Sequence, residues 1–112
     1  MTEGVQVVVY PVNDLAAAKA RFAALLGVPP YADTPYYVGF KVAGQDIGLD
    51  PNGHRAGAVA YVAVTDIKAR LQSLIDAGAE VSEELNDVGG GRLIASVKDP
   101  DGNLIGLLQD PA

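Results

Sequence analysis

The chain has 112 residues, 49% of them apolar, no cysteine and a formal net charge of −6. That length suits one ordinary domain, its apolar content excludes disorder, and without cysteine there is neither a disulfide framework nor a thiolate metal site. Phosphate binding needs clustered Lys and Arg, so the acidic balance argues against nucleic acid as a partner. No apolar run approaches the roughly 18–20 residues of a membrane span, and the opening MTEGVQ has no basic region leading into an apolar stretch. A soluble cytoplasmic protein is expected.

In chain order, a β-branched strand at Val5–Val9 leads to Asp14, a residue suited to capping a helix N-terminus. A helix follows with an apolar stripe at Leu15, Ala18, Phe22, Leu25 and Leu26, and Gly27 supplies its left-handed stop. A short strand fits Pro30–Asp33. Tyr36–Val42 and Asp46–Asp50 then form a hairpin around Ala43-Gly44-Gln45. After the turn-rich DPNGHRAG at 50–57 the order repeats. A strand at Val59–Val64 leads to Asp66 and a helix with Ile67, Leu71, Leu74 and Ile75 on one face, stopped by Gly78. A short strand near Val81–Leu85 precedes a second hairpin, Leu93–Lys98 and Leu104–Gln109, around DPDGN.

The repeat sharpens at the strand ends, where DIGL at 46–49 mirrors LIGL at 104–107 and Gly48 becomes the counterpart of Gly106. The fold class expected is α+β, a single domain over 1–112 made of two βαβββ modules, 1–52 and 57–112. A curved mixed sheet with its helices outside and a concave cleft inside would bury both faces, and the cleft is where a ligand would sit.

The paired modules, the V-x-D-[LI] entry to each helix and the closing DPDGNLIGLLQ resemble the vicinal oxygen chelate superfamily, also called the glyoxalase / bleomycin resistance / dioxygenase superfamily. The resemblance covers essentially the whole chain. It implies a divalent ion chelated by four side chains, two per module. One of each pair lies seven residues before the capping Asp, and the other lies in the module's last strand. The matching residues are Val7, Gly48, Val59 and Gly106, none of which offers a nitrogen or oxygen donor. His54, the only histidine, lies in the linker and cannot supply a site alone. No metal and no other cofactor is therefore expected.

Strand alternation from these positions gives the inward set: Val7, Val9, Tyr36, Phe40, Gly48, Asp50, Val59, Tyr61, Ile94, Ser96, Gly106 and Leu108, with Val38, Leu104 and Lys98 in the same phase. The two glycines and two valines would form an open apolar floor, although glycine also serves simply to let a strand bend. No base is visible beside Ser96, so a nucleophilic triad is not supported. The GGGR stretch at 89–92 could form an anion-binding nest of amides, but a flexible loop is its commoner meaning.

The function expected is metal-free binding of a small molecule, an aromatic or cationic antibiotic or metabolite, as in the family's bleomycin-resistance type. The alternative is a lyase, isomerase or dioxygenase, metal-independent if so and relying on Tyr61, Ser96 or Lys98. No catalytic residue is assigned. The partners expected are a small-molecule ligand and a second copy of the chain in a homodimer, with no nucleic acid and no membrane.

Overall fold

The computed structural model describes residues 2–52 and 57–111, with the side chains of Thr2 and Glu3 outside the description. His54, with Gly53, Arg55 and Ala56 of the linker, lies outside the described residues. Among the described residues the fold is mixed α+β, two helices with eight strands, in the order of two βαβββ modules. Contacts divide the chain into two compact units, Val7–Val59 and a second made of Ala60–Ala112 with Met1–Gln6.

The strand β1 (Thr2–Pro11), which belongs to the first unit from Val7 onward, leads through Asp14 into α1 (Leu15–Leu26), followed by β2 (Ala32–Asp33), β3 (Val38–Val42) and β4 (Gln45–Asp50). The strand order is β2-β3-β4-β1; β1 runs parallel to β4, while β3 is antiparallel to β2 and β4. The Asp14 carboxylate accepts from the Ala17 amide, and Gly27 takes φ 73° while its N–H closes on the Ala23 carbonyl. Ala18, Leu15, Phe22 and Leu26 pack onto Val38, Phe40, Ile47 and Leu49. Leu25 does not join this stripe and stands 75% exposed.

The second unit opens with β5 (Val59–Val64), whose first residue belongs to the unit before, and continues through α2 (Ile67–Asp76), β6 (Glu80–Asp87), β7 (Leu93–Lys98) and β8 (Leu104–Gln109). Its strand order is β5-β8-β7-β6. Asp66 caps α2 through the Ala69 amide. The stop is distributed over two residues. Ala77 is the cap, and Gly78 at φ 106° follows it. The Gly78 amide donates to Ile75 and the Ala79 amide to Leu74, the paired bonds of a Schellman motif. The α2 face of this sheet carries Val62, Val64, Leu93, Ala95 and Leu107, against Ile67, Leu71 and Leu74. Ile75 lies at the edge of the stripe and is 37% exposed.

The two hairpins are closed differently. Val42 pairs with Gln45, so only Ala43 and Gly44 form the first turn, at φ 51° and 78°. Two successive positive φ values define the turn whose twist matches paired strands. Alanine pays a steric cost there that asparagine largely avoids. Ala43→Asn should therefore raise stability, by about 0.5–1 kcal/mol as a fraction of the left-handed penalty, read as a higher Tm.

The second turn is held by Asp99, whose carboxylate accepts from the Asp101 and Asn103 amides and from the Asn103 side chain. The Asn103 side-chain bond, followed by the amides, holds the Asp99 carboxyl below its ordinary value of 3.8. A lowered folded value means the contribution is complete above pH 3.8 and fades as pH falls toward the folded value. Asp99→Ala should melt below wild type at pH 7, and the gap should close as melts are repeated toward pH 3.

Candidate functional site

The helix-facing residues of each unit fix, by alternation, what the opposite face of its sheet presents. In the first unit Val8 is level with Ile47 and Tyr10 with Leu49, and the Tyr10 ring meets Phe22 of α1 at 5.1 Å. The face away from α1 therefore carries Val7, Val9, Gly39, Lys41, Asp46, Gly48 and Asp50. Gly39 is level with Gly48, and Gly48 with Val9.

Two tyrosines cover these glycines. A methyl group added at Gly39 would sit 3.1 Å from the Tyr31 ring. One added at Gly48 would sit 2.7 Å from Tyr37 Cζ and would overlap the Tyr37 hydroxyl outright. Tyr37 is set by a tight turn: the Thr34 hydroxyl accepts from the Tyr36 and Tyr37 amides and donates to the Tyr37 carbonyl. The Lys41 ammonium stands 5.3 Å from the Tyr31 ring centre and 3.7 Å from the Asp46 carboxylate. Both are attractive contacts for a cation.

Phe40 is not on this face. It is fully buried against α1 with Val38, because the two-residue turn pairs Phe40 with Ile47 rather than with Gly48. Tyr36 is not on it either: it lies in the Thr34–Tyr37 turn with 75% of its surface exposed. Tyr37, one residue on, takes the place expected of an aromatic wall. Asp50 sits where β4 ends, its carboxylate accepting from the Asn52 amide. On the α1 side of this unit a groove of about 440 Å³ is lined by Leu15, Lys19, Asp33, Pro35 and Val38 among others, and the Lys19–Asp33 ion pair closes at 3.0 Å.

In the second unit the face away from α2 carries Tyr61 on β5, Leu104, Gly106 and Leu108 on β8, and Ile94, Ser96 and Lys98 on β7. Register places Tyr61 level with Gly106, Gly106 with Ser96 and Ser96 with Glu83. The Tyr61 ring lies over Gly106, where a methyl group would come within 2.6 Å of its Cδ1, 2.8 Å of its Cγ and 2.9 Å of the Ala60 carbonyl oxygen. Its hydroxyl donates to Glu83 Oε1 at 2.7 Å. Ser96 is fully buried, and its hydroxyl has no hydrogen-bond partner among the described residues. Val59, which opens β5, is buried. The glycines thus leave no open floor; tyrosine rings fill the space above them.

Glu83 escaped the sequence reading because it lies in EVSEELND, a charged stretch that reads as a solvated edge strand. In the GGGR loop Gly89, Gly90 and Gly91 all take positive φ. The Gly89 amide donates to Asp87, and the Arg92 guanidinium is held by Asp110 at 2.6 and 3.2 Å. The Arg92 side-chain bond keeps the Asp110 carboxyl below its usual range.

The sequence profile of the Glyoxalase/Bleomycin resistance protein/Dioxygenase superfamily matches residues 4–107. The chain belongs to this superfamily. No curated protein sequence matches it. Among solved structures it is similar to the Mn(II)-bound glyoxalase from Novosphingobium aromaticivorans, at 25% identity and a TM-score of 0.77 over 99% of this chain and 40% of that one. It is also similar to methylmalonyl-CoA epimerase from Mycobacterium tuberculosis, at 19% identity and a TM-score of 0.76 over 99% of this chain and 90% of the other. A superfamily member from Vibrio splendidus 12B01 gives 19% identity and 0.73 over 98% and 100%.

The residues do not fit the divalent ion that the family resemblance implies. Val7 and Val59 have no donor atom, and Gly48 and Gly106 have no side chain. Among the described residues no group of three or more His, Asp or Glu gathers that could hold an ion.

The two glycines differ in what a side chain would meet. At Gly48 it meets the far end of Tyr37, which can move; at Gly106 it meets the root of the Tyr61 ring and a backbone oxygen. Gly106→Ala should cost about 1–3 kcal/mol, the usual range for overpacking, whereas Gly48→Ala should be close to neutral. Denaturant unfolding of the two variants against wild type measures the difference.

Proposed function

We propose that this chain is a small-molecule-binding member of its superfamily that works without a resident divalent ion. The guest would be an aromatic or cationic compound, an antibiotic or a metabolite, sequestered in the manner of the bleomycin-resistance type. One observation carries this reading: the four positions that match the family's chelating side chains hold two valines and two glycines, and a tyrosine ring lies over each glycine. Chelation needs converging donors; the tyrosine rings instead favour flat apolar guests, for which offset ring stacking adds about 0.5–1.5 kcal/mol per good pair.

Of the residues expected to contact the guest, the reading keeps Val7, Val9 and Asp50 in one unit and, as a separate face, Val59, Tyr61, Ile94, Ser96 and Leu108 on β5, β7 and β8; Gly48 and Gly106 lie beneath tyrosine rings. It substitutes Tyr37 for Tyr36 and releases Phe40 to the α1 core. A carboxylate such as Asp50 suits a cationic substituent on the guest. A two-fold homodimer and a cytoplasmic location complete the proposal; no helix among the described residues is long and apolar enough to cross a membrane. A metal-independent enzyme is the second reading, and the hydrogen bond between Tyr61 and Glu83 favours it by joining two groups capable of proton transfer.

Elemental analysis should find no stoichiometric Mn, Fe, Co, Ni or Zn, and EDTA should leave the Tm unchanged. A thermal-shift screen should raise the Tm with planar aromatic compounds, and mass spectrometry should recover the bound compound unaltered. One ion per chain, lost with EDTA along with stability, would defeat the proposal; chemical conversion of the compound would select the enzyme. Light scattering at micromolar concentration should give twice the chain mass.

A further inference from the structure

The row formed by Tyr61, Gly106, Ser96 and Glu83 crosses four neighbouring strands of the second unit at one level. From β5 to β6 that is three inter-strand steps, about 14 Å, a distance no single side chain spans. Tyr61 and Glu83 cover it by lying toward each other and meeting hydroxyl to carboxylate at 2.7 Å. Between their strands, Ser96 holds a fully buried hydroxyl without a partner. Native proteins seldom leave such a group unsatisfied, and each instance calls for an explanation.

We propose that Tyr61 is a displaceable plug, and that the pocket it covers above Gly106 takes a phenol-type ring whose hydrogen-bond donor replaces the Tyr61 hydroxyl at Glu83, with Ser96 as the second polar contact. The proposal deepens the metal-free binding reading and rests on it. Rotation of Tyr61 to another staggered rotamer would lift its ring from the sheet. The ring-sized space left would have Gly106 for its floor, the Ser96 hydroxyl beside it and the Glu83 carboxylate at its end. An ionised carboxylate only accepts hydrogen bonds, so the pocket selects rings ending in O–H or N–H and rejects those ending in a carboxylate. The Ser96 hydroxyl can donate or accept. It therefore gains a partner from the guest that the plugged state does not provide.

The probes are p-cresol, which reproduces the tyrosine side chain, toluene, which lacks the donor, and 4-methylbenzoate, which reverses it. Binding is measured by titration calorimetry to the full chain and to Tyr61→Phe, Tyr61→Ala and Ser96→Ala. Wild type must displace its own plug, and its affinity is reduced by the fraction of molecules in which the plug is lifted. Tyr61→Phe keeps the ring but releases Glu83, so p-cresol should bind it about tenfold more tightly than wild type, the scale of one charge-assisted hydrogen bond. Tyr61→Ala should bind p-cresol tightest and recover part of its lost Tm on binding. Toluene should be weaker by about tenfold or more, and 4-methylbenzoate should not bind. Ser96→Ala should keep or raise the Tm of the free protein yet weaken p-cresol, a combination that a purely structural serine would not give.

Equal affinity of wild type and Tyr61→Phe, equal binding of toluene and p-cresol, or no binding to any of the variants would overturn the plug. If Tyr61→Ala fails to fold, Tyr61→Phe and Ser96→Ala decide. A screened compound that binds wild type and Tyr61→Phe alike would overturn the plug while leaving metal-free binding intact. A stoichiometric ion would overturn the parent reading by a separate measurement.

Discussion

Neighbouring strands lie about 4.8 Å apart, and side chains ordinarily stand up from the sheet between them. A ring can lie flat across the next strand only where that strand has no Cβ beneath it. This steric rule governs the face away from the helix in both units. In the first, Val9, Gly48, Gly39 and Ala32 form one level across β1, β4, β3 and β2. In the second, Tyr61, Gly106, Ser96 and Glu83 form the corresponding level across β5, β8, β7 and β6. Where the rows carry glycine, tyrosine rings come down onto the backbone. The same result is reached by different routes: Tyr61 lies along its own row, whereas Tyr31 and Tyr37 enter from the segments beside β2 and β3.

The two rows therefore differ in chemistry although DIGL and LIGL mirror each other in the sequence. The first row has no polar side chain of its own. Its charges, Lys41 and Asp46, stand beside it, and the Lys41 ammonium is placed near both the Tyr31 ring and the Asp46 carboxylate. The second row ends in a carboxylate and has a buried hydroxyl at its middle. The first unit thus sets tyrosine rings beside a Lys41–Asp46 ion pair, and the second sets a tyrosine ring among hydrogen-bonding groups. Among the described residues, neither unit gathers three or more His, Asp or Glu side chains that could hold a metal ion.

Much of this was legible in the sequence because it depends on local pattern. The capping aspartates Asp14 and Asp66, the strands Val59–Val64, Leu93–Lys98 and Leu104–Gln109, and the mirrored glycines stand where the residues imply. The face of β3 was not legible, for a reason of one residue. A three-residue turn at Ala43-Gly44-Gln45 would set Phe40 opposite Gly48, whereas the two-residue turn sets Gly39 there. A slip of one residue exchanges the faces of a strand, which is why Phe40 and Val38 belong to the α1 core and Tyr37 replaces Tyr36. The second hairpin carried no such ambiguity, since DPDGN spans the whole turn from Lys98 to Leu104. Glu83 was hidden differently. Its strand is charged along its length and its register shifts on either side of it, so neither periodicity nor composition marks which carboxylate turns toward the sheet.

The coupling of tyrosine to glycine also bears on how far this chain stands from a chelating relative. A carboxylate placed at Gly106 would project into the volume of the Tyr61 ring and against the Ala60 carbonyl, so Tyr61 would have to leave first. Its departure would in turn strip Glu83 of the hydroxyl that now donates to it. At Gly48 the obstacle is the Tyr37 hydroxyl end, which a longer side chain would have to push aside against the turn fixed by Thr34. At Gly48 and at Gly106 the missing ligand is thus replaced, within the same unit, by a ring and the contacts that hold it. A donor at Gly106 would therefore come at a cost in packing, whereas at Gly48 the end of the Tyr37 ring can yield, and Val7 and Val59 would still offer no donor. Gly39 and Gly48 in the one unit and Gly106 in the other are each one side of an aromatic contact whose other side is, in turn, Tyr31, Tyr37 and Tyr61.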